Sequence, residues 1–128
     1  MRGVNKVILI GILGKDPDIQ FLEGNIAVAK FPLATTESFK DKTGKVMSQT
    51  EWHNIVLWRG LAEMAQKYLH KSSLIYIEGR LKTRNWEDRD HKRKTITEII
   101  ADNLVMLDRK AESNEDEQLS ENLTPPVE

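Results

Sequence analysis

Three tryptophans and the cations beside them are the residues of this chain best placed to bind something. Trp52 and Trp58 lie in "TEWHNIVLW" (residues 50–58), and Trp86 closes "RLKTRNW" (residues 80–86). Strand side chains alternate between two faces. In the first stretch Ile55 and Leu57 mark an apolar side shared with Glu51 and His53, so Trp52, Asn54, Val56 and Trp58 occupy the other. In the second, Ile75, Ile77, Gly79 and Leu81 share one side, and Glu78, Arg80, Lys82, Arg84 and Trp86 share its opposite. Rings interleaved with cations suit a ligand that offers flat π surfaces and phosphates together, and unpaired nucleic acid is such a ligand. Bases stack on aromatic side chains for about 1–3 kcal/mol each, while Lys and Arg follow the backbone. Stacking ignores base identity, and a duplex hides its base faces. The competing reading is packing, because aromatic rings also favour half-buried strand positions and subunit interfaces. Three rings opposite the apolar side, two of them near cations, favour the exposed platform.

The elements that must carry these residues follow from the hydrophobic period. "NKVILIGILG" reads as a strand punctuated by Gly11 and Gly14, and "KDPDIQFLEGN" as a turn-rich stretch. "IAVAKFPLATTESF" is a second strand, with Ala27, Ala29, Phe31 and Leu33 on one face and Pro32 suggesting an edge or a bulge. "KDKTGK" is a charged loop, and "TEWHNIVLW" is the third strand. The period then changes. Leu61, Met64, Ala65, Tyr68 and Leu69 form one helical stripe in "RGLAEMAQKYLHK". "SLIYIEGRLKTRNW" is a long fourth strand, "EDRDHKRK" a charged turn, and "TITEIIADNLVML" a fifth strand or strand pair. An all-β chain of five strands with one helix between the third and fourth matches the OB-fold, a small Greek-key barrel. The alternative is an α+β domain with a helix on an open antiparallel sheet. From Lys110 onward there are no aromatics, little hydrophobicity and two prolines, which predicts disorder. The expected organisation is one barrel domain over residues 1–109 and an acidic tail over 110–128.

Composition narrows the function further. The 128 residues suit one domain. With no cysteine, disulfides and thiolate metal sites are excluded, and His53, His70 and His91 lack metal-site spacing. No apolar run approaches the ~18 residues of a membrane span, and the N-terminus lacks the features of a signal or transit peptide. All 19 Lys and Arg lie in residues 1–110 against 14 acids, a net +5, whereas residues 111–128 carry six acids and no base. A basic body with an acidic tail is a pattern of nucleic-acid proteins, though a solvated surface with a solubilising tail has the same composition. "GILGKD" lacks the early glycine of a phosphate loop, since Leu9 stands there, and Asp16 replaces the Ser or Thr that would hold magnesium. Asp88 and Asp90 read as solvated ion pairs, and His53 as a packing or subunit contact. No catalytic arrangement stands out, so an enzyme is not expected.

Together, "RGVNKVILIGILGKDP", "LATTESFKDKTG", "QTEWHNIVLW", "LAEMAQKYLHK" and "YIEGRLKTRNW" resemble the bacterial single-stranded DNA-binding proteins of the homotetrameric OB-fold type. The likeness runs from Arg2 to Trp86 and more weakly to Leu107. It implies base stacking by Trp52 and Trp86, by Phe39 where the family usually has Trp, and by Trp58 where it usually has Phe. It implies backbone contacts from Arg2, Lys42, Lys71 and Arg84, with Lys82 similarly placed. Asn54 and Asn85 stand where some relatives have a base, and Arg59 precedes the glycine of "WRG" instead of following it. It further implies a homotetramer paired partly through Arg2–Lys6, no cofactor, no bound metal, a role in replication, recombination and repair, and a cytoplasmic, nucleoid-associated location. The family's acidic tip usually ends on Pro-Phe and docks replication and repair partners. This chain ends Pro125-Pro126-Val127-Glu128, so weak docking is expected, and deleting residues 111–128 should tighten strand binding modestly at low salt. The other functional class is an OB-type protein-interaction module accessory to replication. The charged row "RLKTRNW" argues against it, because interface cores are depleted in charge.

Overall fold

The computed structural model describes residues 2–108, so the expected acidic tail lies outside the described residues. Six strands and one helix follow in the order β1 (Val7–Leu13), β2 (Asp18–Leu22), β3 (Ile26–Lys40), β4 (Val46–Trp58), α1 (Gly60–Tyr68), β5 (Leu74–Glu87) and β6 (Arg93–Met106). β1 pairs antiparallel with β5 from Val7 to Ile12, and with β3 through Ile12 and Leu13. β3 pairs with β4, β5 with β6, and β4 meets β6 in parallel through Ile55↔Ile99 and Val56↔Ile100. The circuit β1-β5-β6-β4-β3-β1 is therefore closed, which is the five-stranded OB-type barrel expected. The helix joins the third and fourth barrel strands, β4 and β5 in chain order.

β2 is the element missing from the sequence reading. The stretch 15–25, expected to be turn-rich, contains a strand that makes a hairpin with the start of β3, with Asp18↔Lys30 through Leu22↔Ile26 paired. The apolar period is weak there because β2 pairs with β3 alone, Ile19 is the side chain that packs on the core, and Phe21 and Leu22 are exposed. The hairpin turns at Gly24 and Asn25, both at positive φ. Pro32 sits where β3 passes from β2 to β1. Its carbonyl accepts the Gly14 N–H at 2.9 Å, so the N–H that proline lacks would point the same way, into that gap between partners.

The core fills the barrel with the inward residues Leu13, Ala29, Leu33, Ile55, Leu57, Ile75 and Ile77. α1 packs on it through Ala62, Ala65 and Leu69, with Leu61 and Met64 half-buried. The expected stripe is thus rotated toward Ala62 and away from Tyr68, which is exposed. Two alanines let the helix backbone approach closely, and Tyr68 would not fit that gap. No described helix is long and apolar enough to cross a membrane.

Beyond the core, β3–β4 and β5–β6 continue as two-stranded ribbons with both faces exposed. Their turns have one design. The Asp41 carboxylate accepts the N–H groups of Thr43 and Lys45, and the Asp88 carboxylate those of Asp90 and Lys92. The positive-φ position is Gly44 in the first turn and His91 in the second. Asp88 also lies 3.7 Å from Lys94, in keeping with an ion-paired turn.

At the end of β4, Arg59 adopts φ 55° and ψ −122°. These are the angles of the first central residue of a type II′ turn, a position that suits glycine and strains other residues. Arg59→Gly relieves that strain and loses some of it to the entropy of a freer unfolded chain. The expected net gain is about 1 kcal/mol, seen as a higher urea midpoint with unchanged slope.

Candidate nucleic-acid interface

The outer faces of β3, β4, β6 and β5, with Gln20 and Leu22 of β2 at one side, form a groove of about 530 Å³ whose floor is Val28, Val56 and Ile100. Trp58 and the cations Lys30, Arg80, Lys82 and Arg84 surround that floor. A second hollow continues it past Pro32 and Asn54 to Lys15 and Asp16, and the two share Lys30, Val56, Arg84 and Glu98. The register explains the grouping, because residues facing each other on a rung share a face. Val28↔Trp58, Lys30↔Val56 and Pro32↔Asn54 line up across β3–β4, and Arg80↔Ile100, Lys82↔Glu98 and Arg84↔Ile96 across β5–β6. Curvature buries parts of this outer face, and Val56 keeps only 3% of its surface.

The aromatics differ in placement. Trp52, Trp58, Trp86 and Phe39 are 59%, 42%, 44% and 48% exposed, so none is a core residue. Trp58 lines the groove directly. Trp52 lies further along the same face of β4, opposite Ala34, and its ring covers Gly14. A Cβ on Gly14 would lie 2.6 Å from Trp52 Cζ3, so glycine is what allows the ring to lie down there. Trp86 is on the groove face of β5, opposite Lys94, with the Arg84 guanidinium carbon 5.5 Å from its ring centroid. Phe39 stands apart. It pairs with Met47 in the ribbon and has the strand parity of Phe31 and Leu33, opposite to the tryptophans.

The cations are equally unlike one another. Lys82 sits on the groove face, directly across from Glu98. Lys42 is in the exposed turn at the β3–β4 tip. Lys71 lies in the loop after α1, where its N–H donates to Asp16 Oδ1 at 2.8 Å and so joins the groove's far rim. Arg2 belongs to the exposed segment ahead of β1, which Asn5 ties to β5 through two hydrogen bonds to the Leu81 backbone. Asn54 lines the second hollow, whereas Asn85 accepts the Thr95 hydroxyl on the other face of β5. His53 is half-buried and hydrogen-bonded to Thr35 Oγ1 at 2.9 Å, a packing role.

Sequence reasoning placed Arg80 on the correct face without naming it as a contact, and missed Lys30 and, above all, Glu98. Glu98 is only 4% exposed. Arg84 grips it bidentately, Nε to Oε1 at 2.9 Å and Nη2 to Oε2 at 3.1 Å, and Lys30 Nζ stands 4.0 Å away. The Arg84 hydrogen bonds hold the carboxyl below its ordinary range against the opposing effect of burial, and Glu98 in turn raises the Arg84 guanidinium. The available signal was a lone acid inside the apolar run "ITEII".

A closed OB-type barrel whose outer groove sets Trp58 among cations, with Trp52 and Trp86 further along the same strand faces, defines a nucleic-acid-binding class of protein. Residues 4–107 match the single-strand binding protein family, and the chain belongs to that family. Among solved structures it is similar to a Plasmodium falciparum SSB in complex with ssDNA, at 41% identity and TM-score 0.76, covering 84% of this chain and 98% of that one. It is also similar to a deletion mutant of the single-stranded DNA binding protein from Thermus aquaticus, at 34% identity and TM-score 0.73. That match covers 84% of this chain and 52% of the other.

The depressed Glu98 carboxyl makes a pH signature. The ion pair's stabilisation is fully present above the ordinary carboxylate range and is lost as pH falls through the lowered folded-state value. The stability difference between wild type and Glu98→Gln, measured by urea titration at a series of pH values, is therefore expected to be constant near neutrality. It should shrink only at pH values below those of ordinary carboxylates.

Proposed function

We propose that this chain is a non-enzymatic, sequence-tolerant binder of single-stranded DNA that holds exposed strands extended and shields them. The observation that carries the reading is the groove itself, where Trp58 lies with Lys30, Arg80 and Lys82 over an apolar floor. Trp52 and Trp86 extend the platform along β4 and β5, whereas Phe39 offers an exposed ring on the opposite face of the β3–β4 ribbon, for a strand that passes around its edge. Arg2, Lys42 and Lys71 sit on exposed segments around the barrel, suited to phosphate contacts at the periphery. The known binding partner of the Plasmodium relative's structure is ssDNA, which agrees with this assignment. Stacking and ion pairing need no cofactor. The corresponding biological setting is replication, recombination and repair in the cytoplasm of a bacterial-type cell, close to the nucleoid. Any recruitment of replication or repair proteins falls to the tail.

Self-association, the first step toward the homotetramer that the family resemblance implies, has its own support. β1 presents Ile8, Ile10 and Ile12 at roughly half exposure, and Val105 lies alongside across Tyr76. On the side away from β5, β1 has no strand partner before Ile12 among the described residues. An apolar stripe beside an open sheet edge is suited to a second copy of the same chain. The Arg2–Lys6 segment adjoins it through the Lys6–Glu78 ion pair of 3.5 Å.

Titration with oligo(dT) is expected to show binding that weakens as salt rises, with a log–log slope of about −0.7 for each phosphate neutralised. Equal affinity for a duplex, or indifference to salt, would count against the proposal. Trp52→Ala and Trp86→Ala should each weaken strand binding by about 1–3 kcal/mol. Circular dichroism should show both variants folded, since neither ring belongs to the core.

A further inference from the structure

A buried carboxylate in the middle of a groove for a polyanion is electrostatically misplaced. Glu98 repels the phosphates that Lys30, Lys82 and Arg80 attract, so any help it gives to binding must come by another route. Its hydrogen bonds indicate which. Both carboxylate oxygens are committed to Arg84, at 2.9 Å and 3.1 Å, while Lys30 stands off at 4.0 Å and Lys82 faces Glu98 across the β5–β6 rung. Arg84 and Trp86 are two residues apart on one face of β5, and the guanidinium carbon lies 5.5 Å from the indole centroid. Trp86 belongs to the part of the ribbon that has left the core, so it has no packed interior to orient it.

We infer that Glu98 is a positioning residue for strand binding: it clamps Arg84, and the clamped guanidinium holds the Trp86 ring ready for a base. An unclamped arginine samples many rotamers, whereas a forked pair fixes the guanidinium plane. A fixed plane beside the indole gives a cation–π contact on one side and leaves the other side for stacking. Ordering the ring in advance lowers the entropy lost when a base arrives. Arg84 is then a support for Trp86, with its charge balanced by Glu98. Lys30, Arg80 and Lys82 carry the phosphates in this part of the groove. This deepens the reading of the groove as an ssDNA site and rests on it.

The test is a double-mutant cycle in full-length protein, using Glu98→Gln, Arg84→Lys and the double variant. Each is titrated with oligo(dT) across a salt series and extrapolated to about 1 M, where phosphate attraction is largely screened. Glu98→Gln is expected to steepen the salt slope by about 0.7, because the freed arginine can reach a phosphate. At the same time its affinity near 1 M should fall about two- to fivefold, the worth of a cation–π support. Arg84→Lys keeps the charge but cannot fork, and should lose the same high-salt affinity. The double variant should lose no more than either single one. Circular dichroism reports folding, and if Glu98→Gln does not fold, the loss in Arg84→Lys, altered at a half-exposed side chain, decides the matter. Tighter binding by Glu98→Gln at every salt with no high-salt loss would overturn the inference, as would fully additive losses. No binding by the wild-type chain would instead remove the groove reading and this inference with it.

Discussion

Two short seams hold the barrel shut, and the groove exists because they do. One is the pairing of Ile12 and Leu13 with β3, and the other is the parallel meeting of Ile55 and Val56 with Ile99 and Ile100. The first needs backbones to approach more closely than a side chain permits, since a Cβ on Gly11 would run into the Ala34 carbonyl. The β5–β6 ladder that leads to the second makes the same demand at Gly79, where a Cβ would run into the Ile100 carbonyl. The second seam sets β4 beside β6, which aligns the Lys30–Val56 rung with the Ile100–Arg80 rung, one step along the same face from Lys82–Glu98. Without it Trp58 and the β5 cations would lie on separate ribbons.

One strand serves two surfaces through a single irregularity. β6 carries an extra residue, Asp102, opposite the Glu78–Gly79 step of β5. Before the step, Tyr76 and Glu78 stand beside the exposed isoleucines of β1. After it, Arg80, Lys82, Arg84 and Trp86 belong to the groove. Asp102 itself accepts from Arg80 Nη1 at 3.2 Å. Apolar and cationic surfaces are thereby kept apart along one continuous strand, so the stripe can be covered while the groove stays open.

Much of this was legible because period and parity are local properties. Ile55 and Leu57 reveal the inner side of β4, and with it the outward direction of Trp52 and Trp58. The change from period two to the Leu61–Leu69 stripe reveals the helix. What escaped depends on pairing partners. β2 has little apolar rhythm, since only β3 receives it. Phe39 looks equivalent to the tryptophans until the rung with Met47 gives its parity. Glu98 becomes meaningful only when Arg84, distant along the chain, is placed across the ladder. Arg59 was visible as an inverted Arg-Gly order, but the torsion that makes the order matter was not.

The ribbons have a dynamic consequence. Past the barrel wall they are held by ladder hydrogen bonds and a few cross-strand hydroxyl pairs, Thr36 with Thr50 and Thr83 with Thr97, each 3.1 Å apart. Isolated two-stranded hairpins are at best marginally stable in water. Amide protons should therefore exchange progressively faster from the barrel toward the Asp41 and Asp88 turns, by local opening that leaves the core intact. A bound strand laid along both ribbons would flatten that gradient, converting two fraying arms into a closed grip whose hold lengthens the lifetime of the complex.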